Sequence, residues 1–119
     1  MVKESLRTLW DILLQAYNVG DYEKIADMYT EDAVIVSVGF GTFEGREGVL
    51  KYYRGAREKV GIESFTLEMI ASDEEEELTT EFGKTVIYGE NMAPMGGGHY
   101  MVQWKSVDGK LKIYRDLGL

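Results

Sequence analysis

The stretch GGGHYMVQWKSVDGKLKIYRD, residues 96 to 116, decides how the rest of the chain is read. Two runs with apolar residues at every second position flank Asp108-Gly109. Such alternation marks half-buried strands, and Asp-Gly between them is the strongest short hairpin signal in the chain. Tyr100, Val102 and Trp104 share one face of the first strand, opposite His99, Met101 and Gln103. In the second strand Leu111, Ile113, Arg115 and Leu117 fall together, leaving Tyr114 and Asp116 on the other side. If Leu111 and Ile113 pack on the core, Asp116 turns inward only where a bulge interrupts the alternation.

Upstream of the hairpin the period changes. Leu6, Leu9, Trp10, Leu13 and Tyr17 form one helical stripe. Gly20 stands where a C-cap belongs, and Asp21 can cap a short second helix carrying Tyr22, Ile25, Ala26 and Tyr29. The β-branched run Ala33-Val34-Ile35-Val36 reads as a strand, followed by a loop punctuated by Gly39, Gly41 and Gly45. A third helix presents Val49, Tyr52, Tyr53 and Ala56 and stops at Gly61. Phe65, Leu67, Met69 and Ala71 alternate as a strand, and Leu78 to Tyr88 is rich in strand-forming residues. The acidic run Asp73 to Glu77 between them reads as a solvated turn, because it lacks the ligand spacing and central Gly of a calcium loop. A loop holding Pro94 and Gly96-Gly97-Gly98 follows, and the triplet reads as a mobile lip of a pocket. Helices first and a meander of strands afterwards predict one α+β domain over residues 1–119. Three N-terminal helices pack on one face of a curved, mostly antiparallel sheet.

Composition excludes several functions. The 119 residues hold no cysteine, so disulfides and thiolate metal sites are absent. With 21 acidic against 13 basic residues, the net charge of −8 repels nucleic-acid phosphates and anionic lipid. The opening MVKESLRTLWDILL mixes charge with apolar residues and does not read as a signal peptide, and no apolar run reaches membrane-spanning length. A soluble, cytoplasmic protein is expected.

Three segments, NVGDYEKIADMYTEDAVIV, FEGREGVLKYY and GHYMVQWKSVDGKLKIYRD, together resemble the nuclear transport factor 2-like superfamily. Within it they are most similar to the small SnoaL-like and ketosteroid isomerase-like proteins. The resemblance covers nearly the whole chain. It implies a cone-shaped half-barrel enclosing an apolar pocket, and a homodimer joined through the outer sheet face. In the isomerase relatives an Asp removes a proton beside a ketone, while a Tyr and a protonated Asp stabilise the enolate oxygen. Carried over by motif, those three roles fall on Ser37, Leu13 and the neighbourhood of Gly98, and none of these side chains can fill them. The fold alone does not assign an activity.

Two carboxylates remain as catalytic candidates. The resemblance places Asp116 near the cavity, where an apolar setting raises its pKa into the range useful for acid or base work. The competing reading is a solvated Asp, or one paired with Arg115 or a lysine. Glu81 matches a carboxylate-bearing strand of the relatives and shares a face with Thr79 and Gly83. The alternative is a surface Glu. His99, the one histidine, falls on the outward face and has neither a nucleophile nor a second histidine at a suggestive spacing. The resemblance places Tyr29, Tyr52 and Tyr53 at aromatic positions of the relatives' pocket. Trp10, Tyr100, Trp104 and Tyr114 join them as ligand-binding candidates, although several of these and Tyr17 also fit a plain core. Eight tyrosines are more hydroxyls than an inert core of this size needs. Two functions stay open. One is binding of a small, largely apolar molecule, with proton transfer for isomerisation, cyclisation or dehydration. The other is a non-catalytic association or ligand-carrying module. Neither implies a cofactor or metal.

Overall fold

The computed structural model describes residues 2–118. Helix α1 (Val2–Asn18) buries Leu6, Trp10, Leu13 and Tyr17 along the stripe read from the sequence. Gly20 follows at φ 76°, a left-handed conformation that glycine adopts without a Cβ clash. The Asp21 carboxylate then accepts a hydrogen bond from the Lys24 N–H at 3.2 Å and starts α2 (Tyr22–Asp27). Strand β1 (Tyr29–Ser37) is longer than its β-branched centre suggests, and the glycine-rich loop after it pairs as β2 (Gly41–Glu44). Helix α3 (Gly45–Gly55) continues into a π-helical turn (Ala56–Val60) closed by Gly61 at φ 83°. Strands β3 (Ser64–Glu74), β4 (Leu78–Tyr88), β5 (Pro94–Val107) and β6 (Lys110–Gly118) complete the chain.

The six strands form one curved, unclosed sheet in the order β2-β1-β6-β5-β4-β3. Every neighbouring pair is antiparallel except β1 and β6, so the sheet is mixed. The helices and the inward side chains of the sheet share one apolar cluster, which includes Ile25, Val49, Ile35, Val102 and Ile113. The architecture is therefore the expected α+β roll. Asp108 and Gly109 turn at φ 51° and 80°, the two positive φ values a tight hairpin requires. The acidic run ends β3 and forms the exposed turn before β4.

The glycine triplet departs from its reading as a loop. Gly96, Gly97 and Gly98 belong to β5 and pair with Ile87, Val86 and Thr85 of β4. A Cβ on Gly97 would run into the Thr85 carbonyl, so glycine is there to let two backbones approach closely. No helix among the described residues is long and apolar enough to cross a membrane.

Candidate functional site

Between α1, α3 and the concave sheet lies a cavity of about 130 Å³. Trp10, Tyr17, Tyr52, Tyr53 and Tyr100 line it together with aliphatic side chains, and Asp116 is its one charged residue among those described. A bulge brings Asp116 there. Gln103 pairs with Arg115 but Trp104 pairs with Ile113, which leaves Tyr114 as an extra residue in β6. Ile113 and Asp116 consequently both face inward although they lie three positions apart. Asp116 and its chain neighbour Arg115 fall on opposite faces of β6. Arg115 points outward, stacks 3.7 Å above the Tyr114 ring and donates to the Asp32 carbonyl at 3.0 Å.

The Asp116 carboxylate accepts from the Tyr29 hydroxyl at 2.7 Å, and the Tyr29 and Tyr53 oxygens lie 2.6 Å apart. Tyr29 has one hydroxyl proton and gives it to Asp116, so Tyr53 must donate to Tyr29. Burial pushes the Asp116 pKa up to about 6, the Tyr29 hydrogen bond opposes the shift, and the nearby Glu81 charge adds to it. Burial first, and the charge of Asp116 second, hold Tyr29 and Tyr53 well above the ordinary tyrosine value. Tyr52 is pushed up to about 12 by the same two causes. All three phenols are neutral hydrogen-bonding groups at physiological pH.

Glu81 lies behind the cavity wall, at 0% exposure. Trp10 Nε1 donates to both of its oxygens, at 2.9 and 3.0 Å, and Trp104 Nε1 donates to Oε1 at 3.0 Å. The Tyr100 hydroxyl donates to Oε2. These neutral donors occupy the carboxylate's acceptor positions, and no cation contacts it among the described residues. Gly83 makes the arrangement possible, because a Cβ there would collide with the Tyr100 ring and the Glu68 carbonyl. Glu81 borders a second cavity of about 370 Å³, between α1 and β3, and Trp10, Leu67 and Tyr100 line both.

The candidates from the sequence thus occupy different places. Asp116, Tyr52, Tyr53, Tyr100 and Trp10 line the cavity, whereas Tyr29 sits behind it and holds Asp116. Trp104 is fully buried and serves Glu81. Tyr114 lies outside the cavity, because as the bulged residue its ring leaves the inner face and packs between Arg115 and Lys105. Tyr17, outside the ligand-binding candidates of the sequence, lines the cavity while its hydroxyl donates to the Ile62 carbonyl at 2.6 Å. Its place in the α1 stripe one heptad after Trp10 is the signal that points there. His99 is exposed on the outer face, opposite Lys84. Among the described residues no group of three metal-ligating side chains converges.

The model of the SnoaL-like domain family matches residues 12–113, and the chain belongs to that family. No curated protein matches it in sequence. An NTF2-like protein with a cystatin-like fold from Novosphingobium aromaticivorans superposes with a TM-score of 0.83 at 17% identity, covering 97% of this chain and 79% of that one. An NTF2-like protein of unknown function from Shewanella oneidensis gives 0.80 at 15% identity, covering 98% of each chain. A protein from Catenulispora acidiphila, solved in complex with S-DNPA, gives 0.82 at 17% identity and covers 97% of this chain and 90% of that one. At these identities the likeness shows the fold alone.

Proposed function

We propose that this domain binds a compact, largely apolar carbonyl compound in the cavity and moves a proton on it through Asp116. The observation that carries the proposal is an inventory of protons around the cavity. Tyr17 gives its proton to Ile62, Tyr53 to Tyr29, and Tyr100 to Glu81. The Tyr52 hydroxyl gives its proton to no acceptor among the described residues, and its neighbour Ser37 acts on it as a donor would, so the Tyr52 proton is left to turn toward a ligand. The cavity therefore offers one weakly basic carboxylate and one uncommitted phenol. A carbonyl oxygen on Tyr52 would leave the α-carbon to Asp116. The C–H bond breaks, its proton passes to the Asp116 carboxylate, and its electron pair forms an enolate whose oxygen Tyr52 stabilises. Return of the proton at another carbon is an isomerisation, and loss of a β-hydroxyl, which takes the proton from Asp116 and leaves as water while the enolate electron pair forms the C=C bond, is a dehydration. Burial lifts Asp116 toward neutrality and so makes it a stronger base than a solvated Asp. A cavity of about 130 Å³ holds about one six-membered ring. The Catenulispora acidiphila relative solved with S-DNPA supports a ligand-binding reading.

The rival reading, a carrier or association module without chemistry, is favoured by the saturated hydrogen bonding of Glu81, which leaves Asp116 without a second working carboxylate. Exchange of the α-protons of cyclohexanone in heavy water, followed by NMR, separates the two. Proton transfer predicts acceleration that is lost in Asp116→Asn and reduced about a hundredfold in Tyr52→Phe. Binding of cyclohexanone with equal exchange in the unaltered protein and Asp116→Asn leaves the carrier.

A further inference from the structure

Beside the cavity runs a groove of about 620 Å³, between the β1–β2 hairpin and the α3–π helix. Tyr52, Ala56 and Ile62 belong to both linings, so the groove adjoins the cavity across a three-residue rim. Its charge is unusual for this protein. In a chain of net charge −8, the groove lining contains Lys51 and Lys59 and, among the described residues, no carboxylate. Among the described residues neither lysine has an ion-pair partner. Lys51, Gly55 and Lys59 recur every four positions, which sets them along one side of the helix.

Gly55 is the second observation. Its φ of −65° and ψ of −35° are ordinary helical values, and a Cβ there would meet nothing within 4 Å. Glycine in a helix interior weakens it relative to alanine, so Gly55 carries a stability penalty that no packing inside the fold requires. Gly48, on the same helix, shows the contrast, because a Cβ there would lie 2.8 Å from the Phe43 backbone. A bare helix surface at Gly55 suits a chain lying across it. Phe40, 65% exposed at the hairpin tip, stands over the same groove and has apolar surface to bury on an occupant.

We infer that the groove is a second subsite that takes an apolar chain ending in a carboxylate or phosphate, held by Lys51 and Lys59. The ligand class is then an amphiphilic anion, with a ring-sized head in the cavity and its chain over Gly55. This rests on the proposed reading of the cavity as a ligand site. Lys51 and Lys59 fix the anionic end and Gly55 admits the chain, while Tyr52 at the shared rim meets the head.

Tryptophan fluorescence titration with phenylhexanoate, phenylhexyl phosphate and neutral phenylhexanol tests it, since Trp10 lines the cavity. One or both anions should bind about three- to tenfold more tightly than the alcohol, and the one that does identifies the head group. That preference should vanish in the Lys51→Gln/Lys59→Gln double variant and shrink with added salt. Gly55→Leu should weaken the chain-bearing probes at least tenfold. Gly55→Ala, the milder change, should raise the melting temperature by a few degrees and weaken them less. Equal affinity for anions and alcohol, no binding of any of the three, or unchanged affinity in both Gly55 variants overturns the inference. Cyclohexanone binding to the unaltered protein reads the cavity by itself. Its failure overturns the cavity reading, and its success beside failed chain-bearing probes overturns the groove alone.

Discussion

Asp116 is unusual in what it lacks. A carboxylate in an aromatic cavity ordinarily acquires a cation, and here the candidate Arg115 is turned away onto Tyr114. Burial raises the Asp116 pKa, and among the described residues one phenol opposes the rise, so the folded pKa stands near 6 against an ordinary 3.8. A carboxyl whose folded pKa is raised contributes stability that is full below its unfolded pKa and is lost as pH rises through the folded one. The loss amounts to at most about 3 kcal/mol. Asp116→Asn retains the acceptor for Tyr29 and removes the charge. It should match the unaltered protein below pH 4 and exceed it by about 1–3 kcal/mol above pH 7. Urea denaturation at the two pH values checks this, and a variant destabilised at both would show that the charge is paired in the fold. Asp116 was legible in the sequence as a candidate, together with the requirement for a bulge. The occurrence of that bulge was not legible, because it depends on how β5 meets β6 rather than on any local residue pattern.

At the scale of elements, what is local in the chain was readable and what depends on a distant partner was not. The α1 stripe, the Gly20-Asp21 junction and the Asp108-Gly109 turn each carry their cause within a few residues, and each stands where it was expected. The parallel pairing of β1 with β6 has no local signal. The glycines of β5 look like a loop until β4 lies against them, when Gly97 proves to be a close-approach position. Glu81 shows the same limit, since its inward phase could be counted along β4 but the convergence of Trp10, Trp104 and Tyr100 on it could not. Gly83 keeps that cluster intact by leaving room for the Tyr100 ring. Gly83→Ala should therefore cost about 2–4 kcal/mol and change the tryptophan emission, because Tyr100 must leave Glu81. Unchanged stability and emission in thermal and fluorescence measurements would mean that Tyr100 has room the fold does not show.

For the whole molecule, the concave and convex sides of the sheet face different fates. The concave side is closed by helices, whereas the convex side exposes Phe82 at 41% and Ile70 at 59%, with Met101 directly opposite Phe82 on the neighbouring strand. Large apolar groups on an open sheet face favour association, and a homodimer through that face is the proposed assembly. Light scattering at micromolar concentration should give twice the 13.5 kDa chain mass, and Phe82→Glu should return the monomer. A monomeric unaltered protein would rule the dimer out. In the interior, fold, bulge and burial combine to give the cavity a carboxyl of altered acidity, the group on which the proposed function depends. Its most direct test is a carbon-13 NMR titration of the Asp116 carboxyl, in the free protein and with cyclohexanone bound. The expected midpoint is near 6 in the free protein and rises further when cyclohexanone displaces water from the cavity. A midpoint at or below about 4, unmoved by cyclohexanone, would contradict it.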